Sequence, residues 1–340
     1  MISLLIVNYR SAELAIEAIR TARAATTEEM QVVVVDNSCD ASEADALRAH
    51  VDELIVSATN RGYAGGINDG RRACKGDVLI VSNPDVKFSA GSIDTLASAI
   101  KEDVAVAGPA LFWDDAMTWM LPPSELHTAP EKLGEVLASR SRAYAESRDR
   151  ARIRHRIAFW SSTATRDINA ISGAIMAIDT KTFDELEGFD ERFTLYFEEN
   201  DFLRRVTQRR KRILYVPTAH CRHIYNQSAA QSERAAVQYA ESETRYLEKW
   251  NGPFLARALK RLERERKPLV EPSSAPITIG RDDVLFEASP LATFETAAGC
   301  FSNQVVIPED VRASYRGGVL YLRAIERASA RVLATYKMML

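Results

Sequence analysis

The residues best suited to chemistry are carboxylates that follow apolar runs. Asp36 comes at the end of "QVVVVDN" (31–37), and Asp85 comes at the end of "LIVSNPD" (79–85). Because Pro84 has no backbone N–H to give to a neighbouring strand, we expect a strand to end there and leave Asp85 at its tip. Mg²⁺ and Mn²⁺ prefer carboxylate oxygens and keep water or phosphate as their other ligands, so Asp85 is a candidate metal ligand. An ordinary turn residue is the alternative.

A carboxylate at a strand end can also contact a nucleotide base. Asp36 could accept the ring N–H of a pyrimidine, and the alternative role is the N-cap of the next helix. The segment "NRGYAGGINDG" (60–70) adds Gly65 and Gly66, which would let the backbone approach a ligand closely. A helix that begins there would point N–H groups at an anion. A tight structural turn is the alternative for these glycines.

An acidic cluster and two histidines complete the candidates. Glu198, Glu199 and Asp201 lie together in "YFEENDFLRR" (196–205). The helix dipole favours acidic residues at a helix start, but three exceed what capping requires. Crowded carboxylates raise one another's proton affinity, which suits a general base. His220 and His223 could bind a metal or a phosphate, or they could be ordinary core or surface histidines.

The elements that must position these residues form an α/β pattern. The apolar runs "ISLLIVNY" (2–9), "QVVVVDN", "ELIVSA" (53–58) and "DVLIVSN" (77–83) alternate with helical segments. Continuous β-branched runs between helices predict a mostly parallel sheet that is covered by helices on both faces. Ligands bind beyond the carboxyl ends of the strands in such sheets, and Asp36, Asn60 and Asp85 all fall there.

A change of pattern divides the chain near residue 268. Residues 1–267 hold the α/β pattern, and residues 268–280, "PLVEPSSAPITIG", have the composition of a linker. In residues 281–340, "DVLFEAS", "ATFETAA" and "QVVIPEDV" precede a run that alternates apolar and polar residues over 319–339. We predict a small all-β module that ends in a hairpin with its turn near Ala328 and Ser329. The competing interpretation is a helix over 319–335.

Composition excludes several classes of function. The net charge of −3 over 340 residues gives no general attraction to nucleic acid, so we expect no nucleic-acid partner. The four cysteines are far apart and form no CxxC pair, which indicates reduced thiols and a cytoplasmic protein. No apolar run approaches the ~20 residues that span a bilayer. The motifs of Rossmann dehydrogenases, P-loop NTPases, zinc proteases and nucleophile-elbow hydrolases are absent.

Several segments together resemble the inverting glycosyltransferases of family 2, in the branch similar to rhamnosyltransferases of bacterial surface polysaccharides. The matching segments, in order, are "LLIVNYRS", "VVVVDNS", "NRGYAGGINDG", "LIVSNPDV", "ISGAIMAID", "GFDERFTLYFEENDFLRR" and "YVPTAHCRHIYNQS". The resemblance implies a GT-A fold, a nucleotide-sugar donor such as dTDP-rhamnose, and Mg²⁺ or Mn²⁺. It also implies an acceptor that is a glycan or a lipid-linked glycan. The terminal module lies outside it.

The resemblance also implies a role for each matched residue. Asp85 would be the metal ligand in the place of a DxD motif, with His223 as a second ligand. Glu199 would be the general base where the family usually has aspartate, and Asp201 is its competitor. The implied donor-binding residues are Asn8, Asp36, Asn60, Gly65, Asn68, Asn83, His223 and Ser228, with Asn8 and Asp36 at the base and His223 and Ser228 near the diphosphate.

Alternatives remain at the level of the whole protein. The arginine-rich region 140–156 and the basic segment 254–267 could draw the protein to the inner face of a membrane, or they could be solvated helix faces. The terminal module could bind glycan, brace the catalytic domain or form a homodimer. A nucleotidyltransferase should carry a glycine-rich basic loop after the first strand, which "VNYRSAEL" lacks. A non-catalytic glycan-binding or scaffold protein with the same fold is the other alternative.

Overall fold

The computed structural model describes residues 1–224, 233–273 and 282–340, without the side chains of residues 233–236. Within these ranges a large, mostly parallel sheet is flanked by helices, and a separate small antiparallel sheet follows it. The predicted fold class is therefore confirmed. The division at residue 268 stays a prediction, because most of the predicted linker lies outside the described residues.

The first part of the chain alternates strands with helices. Its strands are β1 (Ile2–Asn8), β2 (Met30–Asp36), β3 (Glu53–Val56), β4 (Val78–Ser82), β5 (Val86–Phe88) and β6 (Val104–Phe112). Its helices are α1 (Ala12–Ala24), α2 (Ala41–Arg48), α3 (Gly62–Arg71) and α4 (Ser92–Ala99). These elements reproduce the predicted order.

The second part is richer in helix. Its helices are α5 (Ala129–Ala138), α6 (Arg142–Trp160), α7 (Thr180–Glu185), α8 (Glu198–Gln208), α9 (Glu233–Asn251), α10 (Pro253–Leu262) and α11 (Glu309–Ser314). Its strands are β7 (Arg166–Asp167), β8 (Ile175–Asp179), β9 (Arg212–His223), β10 (Val284–Ser289), β11 (Ala298–Phe301), β12 (Val319–Glu326) and β13 (Arg331–Met339).

The order of strands in the large sheet brings the predicted site residues to one edge. Within the described residues the order is β3-β2-β1-β4-β8-β6-β9-β5, and β7 pairs with β9. β1, β2, β3 and β4 run parallel, so Asn8 and Asp36 are register partners at the ends of β1 and β2. β5 reverses direction after β4 and pairs with β9, which places Val86 opposite His223. Asp85 therefore lies beside the end of β9.

Two hydrophobic cores cover the two faces of the large sheet. One contains Ile6 and Val34 with residues of α1 and α4, and the other contains Leu5 and Val35 with residues of α3, α7 and α8. Adjacent strand residues thus point to opposite faces, and both faces are buried. This explains the continuous apolar runs of the sequence.

The small sheet confirms the predicted hairpin and corrects part of the strand assignment. β12 and β13 pair in an antiparallel hairpin, so the alternative helix over 319–335 is wrong. The order of the sheet is β11-β10-β12-β13. However, "ATFETAA" contributes a strand only from Ala298, and "QVVIPEDV" leads into helix α11. Pro308 precedes Glu309 and Asp310 in the first turn, and acidic residues after a proline favour a helix start over a strand.

Candidate active site

The end of β1 fixes the carboxylate at the end of β2. The amide nitrogen of Asn8 donates to Asp36 Oδ1 at 2.9 Å, and the backbone N–H of Ser38 donates to the same oxygen at 3.1 Å. Both Asn8 and Asp36 are fully buried. The other oxygen, Asp36 Oδ2, is buried and has no hydrogen-bond partner. A buried acceptor without a donor is costly, so this oxygen is suited to receive an N–H from a ligand.

Asp85 and His223 form a second polar pair. Asp85 Oδ1 lies 3.3 Å from His223 Nε2, and both side chains are largely buried. The backbone holds the pair, because the N–H of Ile224 donates to the carbonyl of Asp85 at 3.1 Å. A carboxylate and an imidazole are both suited to a divalent ion. Among the described residues no group of three or more such side chains could hold a metal by itself, so an ion here would need ligands from elsewhere.

The first turn of α8 presents two buried glutamates. Burial, together with the charge of Glu199, raises the pKa of Glu198 well above its usual value. Burial also raises the pKa of Glu199. Asn200 donates to Glu199 Oε1 at 3.0 Å, whereas Glu199 Oε2 and Glu198 Oε2 are buried without a partner. Such carboxylates hold protons more strongly, as a general base does.

The backbone before α8 is unusual. Tyr196 and Phe197 both have positive φ angles, 68° and 69°, which non-glycine residues rarely adopt. Two consecutive aromatic residues in this conformation indicate a strained turn held by its surroundings, a feature that clusters at functional sites. The turn aims the start of α8 at the segment before β8. A Cβ added at Gly173 would lie 3.2 Å from Cγ of Glu199, so only glycine leaves this space open.

We call Asp85 and His223 the metal-suited pair. Tyr63 is influenced both by Asp85 of this pair and by the glutamates of α8. Its hydroxyl donates to the carbonyl of Gly173 at 3.3 Å. Burial raises the pKa of Tyr63 well above its usual value, and the nearby charges of Glu198, Glu199 and Asp85 raise it further. The charges of Glu198, Glu199 and Asp85 thus all act on one tyrosine. Asn83 joins the same region, because its backbone N–H donates to the carbonyl of Ala174 at 2.8 Å.

Asp201 faces away from this cluster. Its Oδ2 accepts from Arg205 Nε at 2.8 Å, and its Oδ1 accepts from Trp250 Nε1 at 3.0 Å and from Lys249 Nζ at 2.5 Å. The side chain is fully buried. Three donors thus bind the oxygens of Asp201. Because two of them, Lys249 and Trp250, are on α9, Asp201 joins α8 to α9.

The other implied donor residues have structural contacts. Asn60 Oδ1 accepts from the backbone N–H of Gly62, the first residue of α3, at 2.8 Å. The amide of Asn68 donates to the carbonyl of Phe189 and accepts from its N–H, at 2.8 and 2.9 Å. A Cβ at Gly65 would first meet the side chain of Arg61. The structure therefore does not bring Asn68 or Gly65 together with the carboxylates, and Ser228 lies outside the described residues.

An aromatic cluster lies beside α8 and was not predicted from the sequence. The ring of Tyr239, on α9, lies 5.4 Å from Tyr196 and 5.2 Å from Phe197, and the ring of His127 lies 4.8 Å from Phe197. Tyr239 stays partly exposed, and its pKa is raised by burial and by nearby carboxylates that include Glu199. Tyr239 and His127 are far from Phe197 in the sequence and meet it only in the folded chain. Spacing in the sequence therefore gave no signal for these rings.

The fold of this chain is found in a solved structure. The structure is similar to that of a mannosyltransferase, PcManGT from Pyrobaculum calidifontis, solved in complex with GDP-Man and Mn²⁺. The TM-score is 0.50 at 14% identity, over 77% of this chain and 73% of the other. That likeness shows the fold, which is the GT-A fold.

The sequence is similar to one family. The model of glycosyl transferase family 2 matches residues 3–163 of this chain. A curated relative from Mycobacterium tuberculosis, N-acetylglucosaminyl-diphospho-decaprenol L-rhamnosyltransferase, is 24% identical over 218 residues. The match covers 58% of this chain and 68% of the relative. The predicted resemblance to family 2 is thus confirmed, and these findings support a glycosyltransferase.

Within the described ranges, no helix combines the length and the apolar character needed to cross a membrane.

Proposed function

We propose that this protein is a metal-dependent, inverting glycosyltransferase. It would move a sugar from a nucleotide-diphosphate donor to a hydroxyl of a surface polysaccharide or a lipid-linked glycan. The observation that carries the proposal is that one segment, residues 173–174, adjoins both Glu199 and the strand end that carries Asp85. A Cβ at Gly173 would lie 3.2 Å from Cγ of Glu199, and the N–H of Asn83, two residues before Asp85, donates to the carbonyl of Ala174. Asp85 is paired with His223, and Glu199 keeps a buried oxygen without a donor. This arrangement supports a leaving-group site and a base beside the same segment.

Asp36 supports the choice of nucleotide. Its unpartnered Oδ2 is an acceptor with no donor, and Asn8 prevents the carboxylate from turning away. Thymine and uracil carry a hydrogen on ring N3 and could fill this position, whereas cytosine carries none there. The proposal is therefore a dTDP- or UDP-sugar, with dTDP-rhamnose as the first candidate.

The metal-suited pair would bind the diphosphate end. Asp85 and His223 would hold Mg²⁺ or Mn²⁺ together with donor phosphates, because the described residues provide too few ligands for the ion by themselves. When bound, the ion would stabilise the negative charge on the departing nucleoside diphosphate.

Glu199 would act on the acceptor. Its Oε2 would take the proton from the attacking hydroxyl, and burial adjusts the carboxylate for that step by raising its pKa. The hydroxyl would attack the anomeric carbon from the face opposite the leaving group. One displacement inverts the configuration, so no covalent sugar–enzyme intermediate is needed. Asp201 is the weaker candidate, because its oxygens are already occupied.

The aromatic cluster supports an acceptor site beside this base. Tyr239 is 39% exposed and has its ring close to Tyr196 and Phe197. An exposed aromatic face held by neighbouring rings is suited to the apolar face of a sugar. An acceptor bound there would have its hydroxyl near Glu199.

The named relatives support the choice of substrates. The Mycobacterium tuberculosis relative is named for L-rhamnose and for a diphospho-decaprenol acceptor, and the Pyrobaculum mannosyltransferase was solved with Mn²⁺. We therefore propose a role in cell-envelope glycan synthesis, in the cytoplasm and at the inner face of the membrane.

A screen of nucleotide sugars by thermal shift, with Mn²⁺ present, tests the proposal. We expect dTDP- or UDP-sugars to raise the melting temperature most, and Asp36→Asn to reduce that shift because it weakens the acceptor for the base. Slow release of nucleoside diphosphate from the same donor should follow. No stabilisation by any nucleotide sugar would refute the proposal, and binding without turnover in the presence of acceptors would favour the scaffold alternative.

A further inference from the structure

Helices α5 and α10 expose large apolar side chains that the fold leaves uncovered. Phe254 is 86% exposed, and the exposures of its companions are 45% for Leu255, 44% for Leu262, 46% for Leu133 and 42% for Leu137. We call these five residues the apolar surface. Apolar side chains exposed together on neighbouring elements indicate an interaction site, whereas single exposed residues do not.

α10 has two apolar sides with different neighbours. Ala256 and Leu259 are buried, and α10 packs on α9. Phe254, Ala258 and Leu262 follow the i, i+4, i+8 spacing of one helical stripe and are all exposed. The buried side therefore accounts for the stability of the helix, and the exposed stripe is free to meet another surface.

The ends of α5 and α10 are joined. The guanidinium of Arg140, two residues after α5, donates to the carbonyl of Leu262 at 3.0 and 3.2 Å. Lys132, on α5, donates to Glu263 at 2.6 Å, just beyond α10. These bonds hold the C-terminal end of α10 against α5 at two points, so Leu137 and Leu262 lie on joined helices.

The charge of the segment that carries α10 is opposite to that of the whole chain. Residues 253–267 contain six basic and two acidic side chains, although the chain as a whole has a net charge of −3. Arg257 and Arg261 lie one turn apart beside the apolar stripe and are exposed. An exposed apolar stripe with arginines along its edge is the pattern of a helix that lies in the interface of an anionic bilayer.

We propose that the apolar surface docks on a membrane of anionic lipids, with Phe254, Leu255 and Leu262 inserted among the acyl chains and Arg257 and Arg261 at the headgroups. A bilayer meets both features at once, because its interface offers negative charge directly above apolar chains.

Docking in this way would hold the proposed acceptor site close to the membrane. α10 is joined to α9, where Lys260 Nζ donates to the carbonyl of Ala240 at 3.1 Å. Ala240 follows Tyr239, the exposed ring that we place at the acceptor site. The docked surface and the proposed acceptor site are thus on adjoining helices, as a lipid-linked acceptor requires. Only this last step depends on the proposed function.

Flotation of the full chain with lipid vesicles tests the docking. One set of vesicles contains phosphatidylcholine alone, and the other mixes phosphatidylglycerol with phosphatidylcholine. We expect binding to the mixed vesicles, and Phe254→Ser with Leu262→Ser should reduce the binding constant by tenfold or more through loss of apolar burial. The double variant Arg257→Gln, Arg261→Gln should lose about fivefold per arginine, and only on the anionic vesicles.

A matched control removes apolar side chains of similar exposure elsewhere. Leu291 and Val306 are 46% and 58% exposed, and their replacement by serine should leave flotation unchanged. Equal loss in this control would overturn the assignment of the surface. Wild-type protein that does not float, or that forms a dimer in light scattering which Phe254→Ser disrupts, would also overturn it, the second result in favour of another copy of this chain.

A water-soluble acceptor separates the docking from the proposed function. The Phe254→Ser, Leu262→Ser variant should transfer sugar to such an acceptor at the wild-type rate. Flotation without any transfer would leave the docking intact and refute the proposed function, whereas transfer without flotation would do the reverse.

Discussion

Glu199 and Asp201 are two residues apart on α8 and have different surroundings. Glu199 keeps one buried oxygen without a donor, whereas three donors surround Asp201. Sequence reasoning left both residues open as the base, since both lie in one acidic cluster at a helix start. Which of the two can act as the base depends on the direction of each side chain. Arg205, Lys249 and Trp250 hold Asp201, and the last two are on α9, far along the chain.

Glu199→Gln should lower kcat by about 10²- to 10⁴-fold, because the amide cannot accept the proton of the attacking hydroxyl. The Kd of the donor should stay unchanged, which isothermal titration can measure beside the steady-state rate. Asp201→Asn is the matched control. It should retain most of kcat and lose about 1–3 kcal/mol of unfolding free energy, because Arg205 and Lys249 lose a charged acceptor. The opposite result for the two variants would assign the base to Asp201.

Glu198 should make stability depend on pH. Burial and the charge of Glu199 raise its pKa in the folded protein above the ordinary value of 4.5, so the folded state binds a proton that the unfolded state has released. The stabilisation is complete below the unfolded pKa and is lost as pH rises through the folded pKa.

Glu198→Gln removes this titration without removing the volume of the side chain. Denaturant titrations across this pH range should show the variant gaining in stability over the wild type as pH rises. Glu191→Gln, which changes an exposed glutamate, is the control and should show no such trend. A constant difference between Glu198→Gln and the wild type at every pH would contradict the raised pKa.

At the scale of elements, α3 shows what the sequence could and could not predict. The sequence predicted a helix opened by glycines, in which Gly65 and Gly66 would let the backbone approach a ligand. In the structure Gly66 and Gly70 face the sheet, where a Cβ at Gly70 would lie 2.3 Å from Leu5 and one at Gly66 would lie 2.9 Å from Val7. These glycines bring α3 close to β1, a packing requirement that a glycine pattern alone does not distinguish from ligand contact.

Gly70→Ala should destabilise the protein by about 1–3 kcal/mol, because its Cβ would overlap Leu5 in a filled core. Gly65→Ala is the milder substitution on the same helix, since its Cβ would lie 3.1 Å from Cβ of Arg61 and meet no core side chain. It should be neutral or stabilising by up to about 1 kcal/mol, from helix propensity. Thermal melts and donor titrations measure both. If Gly65→Ala weakens donor binding markedly, the role implied for Gly65 by the family resemblance is correct.

The strand pattern was the most predictable feature, and its reason is local. Successive residues such as Leu5 and Ile6 are buried on opposite faces of the sheet, so β1 had to be apolar throughout. The hairpin of β12 and β13 was predictable for the related reason that its alternation has period two. Helix α11 was not predictable, because "QVVIPEDV" combines a β-branched run with the start of a helix. The exact partners of Asp85 and Asp201 required the folded chain.

At the scale of the whole molecule, the small sheet is tied to the glycosyltransferase part through buried charges. Arg323, on β12, donates to Asp149 of α6 at 2.8 Å and to Glu287 at 2.6 Å, and Arg156 of α6 donates to Glu287 at 3.0 Å. Leu285 shares a core with Trp160. The arginine-rich helix is therefore partly an internal interface, which sequence composition could not separate from a solvated face.

Arg323→Met should lower the unfolding free energy by about 3–5 kcal/mol, because it leaves Glu287 and Asp149 buried with fewer donors. Arg331→Met, which removes an exposed arginine of the same sheet, should cost less than about 1 kcal/mol. Denaturant unfolding followed by fluorescence and circular dichroism should show one shared transition that moves as a whole. Separate early unfolding of the small sheet, with an unchanged midpoint for the rest, would contradict this coupling.

The same coupling reaches the metal-suited pair. Arg222, the neighbour of His223 on β9, has its guanidinium 3.1 Å from Asp310 of α11 and 2.7 Å from Asp115. The small sheet and its helix thus contact the strand that carries His223. The position of the imidazole beside Asp85 therefore depends on both parts of the molecule.

The most direct test of the account is a titration of Mn²⁺ into the protein with and without dTDP or UDP. Asp85 and His223 alone are too few ligands, so we predict weak binding of the ion to the protein alone and binding about tenfold tighter or more with the nucleotide, whose phosphates complete the site. Asp85→Ala should abolish the effect of the nucleotide. Equal Mn²⁺ affinities in the two states of the wild-type protein would contradict the assignment of this site to a nucleotide-diphosphate donor.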